Sequence, residues 1–134
     1  MKSYNGLVYP AMADAMGHMN VQHYVAAFDQ AMWHFVAALG YDTAWQRSRG
    51  EGWADVLHET RFMRELEVGE LFEVATAVEA VGTSSLTLRH TMTNRRGETV
   101  AAMTMKTVYF DLAARKSIPL PERLKDNALA AQSG

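Results

Sequence analysis

The spacing of apolar residues along the chain changes period once. From Val21 to Leu39 the apolar positions Val21, Tyr24, Val25, Phe28, Ala31, Met32, Phe35, Val36 and Leu39 recur every three or four residues, which predicts an amphipathic helix. Ala26, Ala27, Trp33, Ala37 and Ala38 widen the apolar stripe past half the circumference, so the helix should be covered on most sides. Asn20 is suited to cap its start, and Gly40 to end it in a left-handed turn. Before the helix, Gly6 to Pro10 reads as a short opening strand that proline ends. After it, Asp42 to Arg49 reads as a turn or two of helix closed by Gly50 and Gly52.

From Trp53 onward the period is two, as in strands. Strand two, about Ala54 to Leu66, alternates Val56, His58, Thr60 and Phe62 with Leu57, Glu59, Arg61 and Met63. Strand three sets Phe72, Val74, Thr76, Val78 and Ala80 against Glu73 and Glu79. Strand four sets Leu86, Leu88, His90 and Met92 against Thr87, Arg89 and Thr91. Strand five, Val100 to Leu112, is apolar on both faces. Val68-Gly69-Glu70, Gly82-Thr83-Ser84 and Asn94 to Gly97 supply the turns, and Pro121 can open a last helix to about Ala131. One long helix followed by a strand meander is α+β, organised as a single domain over residues 1–134. A curved antiparallel sheet wrapped around the helix would bury its stripe. Such a sheet leaves edge strands and an apolar outer face open, which self-association would cover, so a homodimer or homotetramer is expected.

Composition narrows the chemistry. The chain has 13 Lys and Arg against 15 Asp and Glu, for a net charge of -2, which argues against nucleic acid or an anionic membrane as the main partner. It has no cysteine, so disulfides, thiolate metal sites and thiol nucleophiles are excluded. The N-terminal residues lack the apolar core of a signal peptide, and no apolar run is long enough to span a bilayer; a cytoplasmic protein is the expectation. No His, Asp or Glu cluster has metal-ligand spacing, and no Gly-x-Ser-x-Gly is present.

The segment Asp14-Ala15-Met16-Gly17-His18-Met19-Asn20-Val21 runs straight into the long helix. A helix start presents unpaired N–H groups and partial positive charge to the loop before it, so a carboxylate there could attack a carbonyl or deprotonate the water that does. From spacing alone, Asp14 reads first as a loop cap or a solvated turn carboxylate and Gly17 as a turn glycine, while His18 fits a loop-locking histidine as well as a site residue.

Asp14-x-x-Gly17-His18-Met19-Asn20, followed by Tyr24, Phe28-Asp29 and Ala31, resembles the motif of hot-dog-fold acyl-CoA thioesterases of the 4-hydroxybenzoyl-CoA thioesterase type. Gly-His-Met-Asn-Val and the run 27 to 31 are most similar to the betainyl-CoA branch. Many such proteins carry Asp-x-Asp before the glycine; here Met12 stands at the first of those positions. The resemblance implies hydrolysis of a small acyl-CoA without metal or cofactor. It places Asp14 as nucleophile or general base, Gly17 and His18 beside it, and the Val21 N–H as oxyanion donor. It also places Asn20, Tyr24, Trp53, His58 and Glu59 near the substrate. Arg89, Arg95, Arg96, Arg115 and Lys116 are candidates for the coenzyme A phosphates. Two other readings fit the same pattern: a hot-dog hydratase or dehydratase, and a non-catalytic acyl-CoA-binding or ligand-sensing dimer.

Overall fold

The computed structural model describes residues 1–132. The central element, α1 (Val21–Leu39), is held at both ends as its sequence predicts. The Asn20 side-chain oxygen accepts from the Gln22 N–H at 3.2 Å, and Gly40 takes φ 117° so that its own N–H and that of Tyr41 return to Ala37 and Val36. Only glycine adopts that backbone without strain. Tyr24, Ala27, Phe28, Ala31, Met32, Phe35, Val36 and Leu39 are buried along the helix.

Around α1 lie β1 (Lys2–Leu7), β2 (Glu51–Phe62), β3 (Leu71–Val81), β4 (Ser85–Asn94), β5 (Thr99–Asp111) and the two-residue β6 (Lys116–Ser117). They form one antiparallel sheet in the order β1-β3-β4-β5-β2, with β6 paired to β5. A short α2 (Trp45–Ser48) leads into β2, and α3 (Glu122–Gln132) packs on β3 and offers its Asn127 amide to the Leu39 carbonyl at the end of α1. The α1 backbone runs close to β1, β3 and β4 and stands off from β2. Phe28, Leu86, Leu88, Met92, Met103 and Met105 fill the space between helix and sheet. This is the α+β hot-dog arrangement, a curled sheet around one helix.

Among the departures from the sequence expectation, two strand boundaries and the facing of one residue have a clear local reason. The opening strand is Lys2–Leu7 and not Gly6 to Pro10, because the chain leaves the ladder at Val8 and Pro10 begins a 3-10 turn, Pro10–Met12. Strand two ends at Phe62 and not at Leu66: the Met63 and Arg64 N–H groups share the Val100 carbonyl, and Leu66 turns fully into the core. Ala80 is exposed although it shares parity with buried Val78, since a bulge at Glu79 shifts the pairing from Val78↔Leu88 to Ala80↔Thr87. A bulge inserts one unpaired residue and so inverts the alternation beyond it.

Among the described residues, the core holds one fully buried histidine. His90 on β4 is fully buried, stacked on Phe28 with ring centroids 5.8 Å apart. Its Nδ1 lies 2.7 Å from Thr76 Oγ1, which lies 2.6 Å from Ser3 Oγ, and that hydroxyl in turn donates to the Val74 carbonyl. Desolvation, reinforced by nearby His58 and opposed by Asp55, lowers the His90 pKa to about 4. With an ordinary value of 6.5, the neutral imidazole contributes stability that is present above pH 6.5 and lost as pH falls toward 4. The full loss corresponds to about 3 kcal/mol. Chemical denaturation at pH 7 and pH 4 should therefore show an acid-side loss of that order in the native protein that His90→Gln does not suffer; equal losses in the two proteins would show that His90 is not the group responsible.

Candidate active site

The loop before α1 folds on itself through the backbone. The Asp14 N–H donates to the His18 carbonyl, the Gly17 N–H to the Asp14 carbonyl and the Asn20 N–H to the Met12 carbonyl. The Met19 N–H is tied to the carbonyl of Leu66, which anchors the loop to the segment after β2. Gly17 has φ 84°, and a side chain built there would meet no atom within 4 Å; it is required by backbone conformation and leaves the approach to the loop open.

This fold brings Asp14 to the start of α1. Asp14 Oδ1 accepts from the Met16 N–H at 2.9 Å, and the Asn20 Nδ2 donates to Asp14 Oδ2 at 3.4 Å. The Met16 N–H is the largest of the effects that hold the Asp14 pKa below the usual carboxylate value; partial desolvation opposes it, while Asn20 and His18 reinforce it. Asp14 is thus ionised at neutral pH, the form that serves a nucleophile or a general base. Asn20 touches both partners in this arrangement. Its oxygen takes the Gln22 N–H while its nitrogen holds Asp14, and the His23 N–H returns to the Asn20 carbonyl. Among the described residues, the Val21 N–H is the first-turn donor left without an acceptor, and Val21 is more than half exposed.

The other residues expected at the site separate. His18 Nε2 lies 2.9 Å from Glu65 Oε2, and its backbone bridges to Glu67; its ring pins the loop and faces an open cleft of about 720 Å³ shared with Glu65, Glu67 and Glu70. Asn20, expected near substrate, has its side chain committed to the cap and to Asp14. Tyr24 is buried against the Phe62 ring, 5.2 Å away and edge-on. Trp53 belongs to an aromatic cluster with Tyr41 and Tyr109, at 5.7 and 5.0 Å. Glu59 lies on the face of the sheet shared with Arg61, Arg89 and Thr104, because the pleat sends it opposite to its neighbour His58. Of the basic candidates, Arg89 faces Glu79 at 3.7 Å, Arg96 pairs with Glu98 at 2.9 Å, and the Arg115 guanidinium sits over the Phe110 ring.

Around His58, expected near the substrate, the structure gathers residues to which the sequence assigned no role. His58 Nε2 meets Asp55 Oδ2 at 2.9 Å. In a regular strand, residues three apart face opposite sides; here the pairing slips between Asp55↔Thr107 and Leu57↔Lys106, and the bulge brings Asp55 and His58 onto one face. Asp29 of α1 faces them. Burial and then the charge of Asp55 raise its pKa, while the Trp33 side chain and His58 pull it down. Asp29 was visible only as part of the Phe28-Asp29 motif, and no periodicity could signal the bulge.

A profile of the thioesterase-like superfamily matches residues 8–128. No curated protein sequence matches the chain. Among solved structures, the protein SAV2348 from Staphylococcus aureus, determined in complex with CoA, superposes with a TM-score of 0.91 at 18% identity, covering 97% of this chain and 82% of that one. BH1999 gentisyl-coenzyme A thioesterase superposes at 0.84 with 22% identity, covering 93% and 98%. Slr0204, a 1,4-dihydroxy-2-naphthoyl-CoA thioesterase from Synechocystis, superposes at 0.84 with 16% identity, covering 96% and 95%. With the profile spanning nearly its whole length, the chain belongs to the thioesterase-like superfamily.

Proposed function

We propose that the protein is an acyl-CoA thioesterase that hydrolyses a small acyl-CoA at the start of α1. The observation that carries this reading is the placement of an ionised, partly solvated carboxylate and an unengaged helix N-terminal N–H on either side of one cap residue, Asn20. Water, or the Asp14 carboxylate itself, adds to the thioester carbonyl. The oxygen takes up negative charge, and the Val21 N–H, with the positive end of the helix behind it, stabilises that charge. Collapse of the adduct expels the coenzyme A thiolate. If Asp14 acts as base it accepts the proton of the attacking water; if it acts as nucleophile, water cleaves the resulting anhydride. A carboxylate whose pKa is held low is a weak base, so much of the rate enhancement in this reading comes from placement and from the oxyanion donor.

The acyl group in this reading carries a quaternary ammonium, with betainyl-CoA its shortest case. Support comes from the similarity of Gly17 to Val21 and of residues 27 to 31 to the betainyl-CoA branch, and from the indole rings of Trp33 and Trp53 beside the helix, which attract such cations. The protein works as a homodimer, because β2 ends the sheet with an unpaired edge and exposes Val56, Leu57, Phe62 and Met63 along it. Coenzyme A and a second copy of the chain are then its partners, and a cytoplasmic location fits that substrate; among the described residues no helix is long and apolar enough to cross a membrane.

Asp14→Asn should lower turnover of the substrate by about 10²–10⁴-fold while leaving the thermal midpoint and acyl-CoA binding close to native. Near-native turnover in that variant would remove Asp14 from the mechanism. Sedimentation equilibrium should give twice the 14.9 kDa chain mass or a higher even multiple; a species of 14.9 kDa at micromolar concentration would refute the dimer.

A further inference from the structure

The arginines and lysines that could take phosphate are sorted by what they already touch. Arg64 and Arg96 both turn to Glu98, at 3.2 and 2.9 Å, and Arg96 stands 3.9 Å from Glu70 as well. Arg115 lies over the Phe110 ring, and Lys116 pairs with Asp111, which ends β5 about 30 Å from Ala102. Phe62 of β2, the cross-strand neighbour of Ala101, touches Tyr24 one turn into α1. Arg115 and Lys116 are thus at the end of the sheet away from the helix start. Arg95 is the single guanidinium of a cavity that it shares with Glu73. Arg89 remains, and the structure joins Arg61 to it.

On β2, His58, Thr60 and Phe62 pair with Met105, Met103 and Ala101, all buried under α1. Glu59 and Arg61 therefore point to the other face of the sheet, with their partners Thr104 and Ala102, and Arg89 of β4 meets Thr104 from the far side. These five side chains and Met63 line a cavity of about 330 Å³. Ala102 and Thr104 give β5 short side chains there, which leaves room between the guanidiniums on the flanking strands. The Arg61 side chain has no ion-pair or hydrogen-bond partner among the described residues. Arg89 faces Glu79 at 3.7 Å with both side chains about half exposed, a contact worth little. Two guanidiniums set apart over short side chains match the oxygens of a phosphate ester or diphosphate. Glu59 is the one carboxylate on the lining, and it opposes them.

This cavity adjoins the loop before α1 through a second one. Met63 lines both it and the cleft of about 720 Å³ that His18 borders. The cleft carries Glu65, Glu67 and Glu70, and its arginines are already paired. It repels phosphate and suits an uncharged arm that carries amides. In coenzyme A about thirteen bonds, roughly 16 Å, separate the sulfur from the first phosphorus. From a thioester at Val21 that arm runs past His18 and Met63, and the Arg61 backbone lies about 7 Å beyond Met63. A second copy added along the edge of β2 extends the sheet and leaves this face open.

We propose that the cavity between Arg61 and Arg89 holds the phosphates of coenzyme A, with the pantetheine arm in the cleft beside His18. This rests on the thioesterase reading for the position of the thioester, and it names the residues that hold the other end of the substrate.

Calorimetric titration compares coenzyme A with pantetheine, the same arm without nucleotide or phosphate, in the native protein and in Arg61→Gln, Arg89→Gln, Arg95→Gln and Glu59→Gln. The native protein should bind coenzyme A at least about tenfold more tightly than pantetheine. Arg61→Gln and Arg89→Gln should each cut that preference at least about fivefold. Glu59→Gln removes a repulsion and should enlarge it, a gain that a merely structural role does not produce. In hydrolysis the Arg61→Gln loss should fall on KM for the acyl-CoA, with kcat within about twofold of native. Excess inorganic phosphate should weaken coenzyme A binding in the native protein and not in Arg61→Gln. Phosphate that binds through Arg61 without displacing coenzyme A would mark a free-phosphate site and overturn the assignment. Equal native affinity for coenzyme A and pantetheine overturns it too, as does a preference that survives Arg61→Gln or is lost in Arg95→Gln instead. If no acyl-CoA is hydrolysed, the thioesterase reading falls; the coenzyme A preference then decides the phosphate site separately, its loss in Arg61→Gln supporting the site and its persistence overturning it.

Discussion

The cap on α1 is the constraint on which the candidate chemistry depends. Asn20 gives its side-chain oxygen to the helix and its nitrogen to Asp14, so one residue fixes both where the helix begins and where the carboxylate sits. The cap satisfies the second N–H of the helix and leaves the first open. A free N–H beside a held carboxylate is stable here because the loop is tied to the body of the protein at Met19, through the Leu66 carbonyl, and because α1 is otherwise buried. Helix burial therefore supplies the rigidity that an oxyanion donor needs, since a preorganised donor spends no energy on reorientation when charge develops.

Length and spread of the sheet serve the same end. The α1 backbone lies closest to β1, β3 and β4, and on the side of β2 it makes contact through the Tyr24 and Phe62 rings. The side toward β1, β3 and β4 holds the apolar core with His90 inside it, linked through Thr76 to Ser3. The side toward β2 carries Asp29 between half-buried Val25 and Trp33, a polar position that a fully wrapped helix would have had to make apolar. Apolar burial and a polar position are thus divided between two sides of the same element.

Much of this was legible in the residues. Helical spacing gave α1 its full extent, Asn20 and Gly40 marked its ends, and the change to period two gave four strands of the meander in order. Alternation also assigned Glu59 to the face opposite His58, yet could not tell which of the two faces was outer, because Glu59 and His58 are both polar and β2 is an edge strand. The bulges at Val56 and Glu79 were illegible for a different reason: each depends on register with a neighbouring strand, and nothing in the local sequence of Asp55 to His58 departs from a regular strand. The bulge hid the Asp55–His58 pair, and with it the partner of Asp29. At the loop, residue types alone favoured a cap or turn role for Asp14, and only the resemblance pointed to chemistry. The structure places it in an Asx-type turn with Met16 and beside the helix start together.

The claim that most depends on this geometry is that the thioester carbonyl binds at the first turn of α1. Amide chemical shifts read it directly. In the ¹⁵N-labelled protein, titration with an acyl-CoA analogue in which a methylene replaces the thioester sulfur should move the Val21 amide proton downfield more than any other, with Met16 and Gly17 following. Val21 should be unmoved by coenzyme A alone. Shifts concentrated on Glu59, Arg61 and Arg89 of the outer face, with Val21 unchanged, would contradict the account.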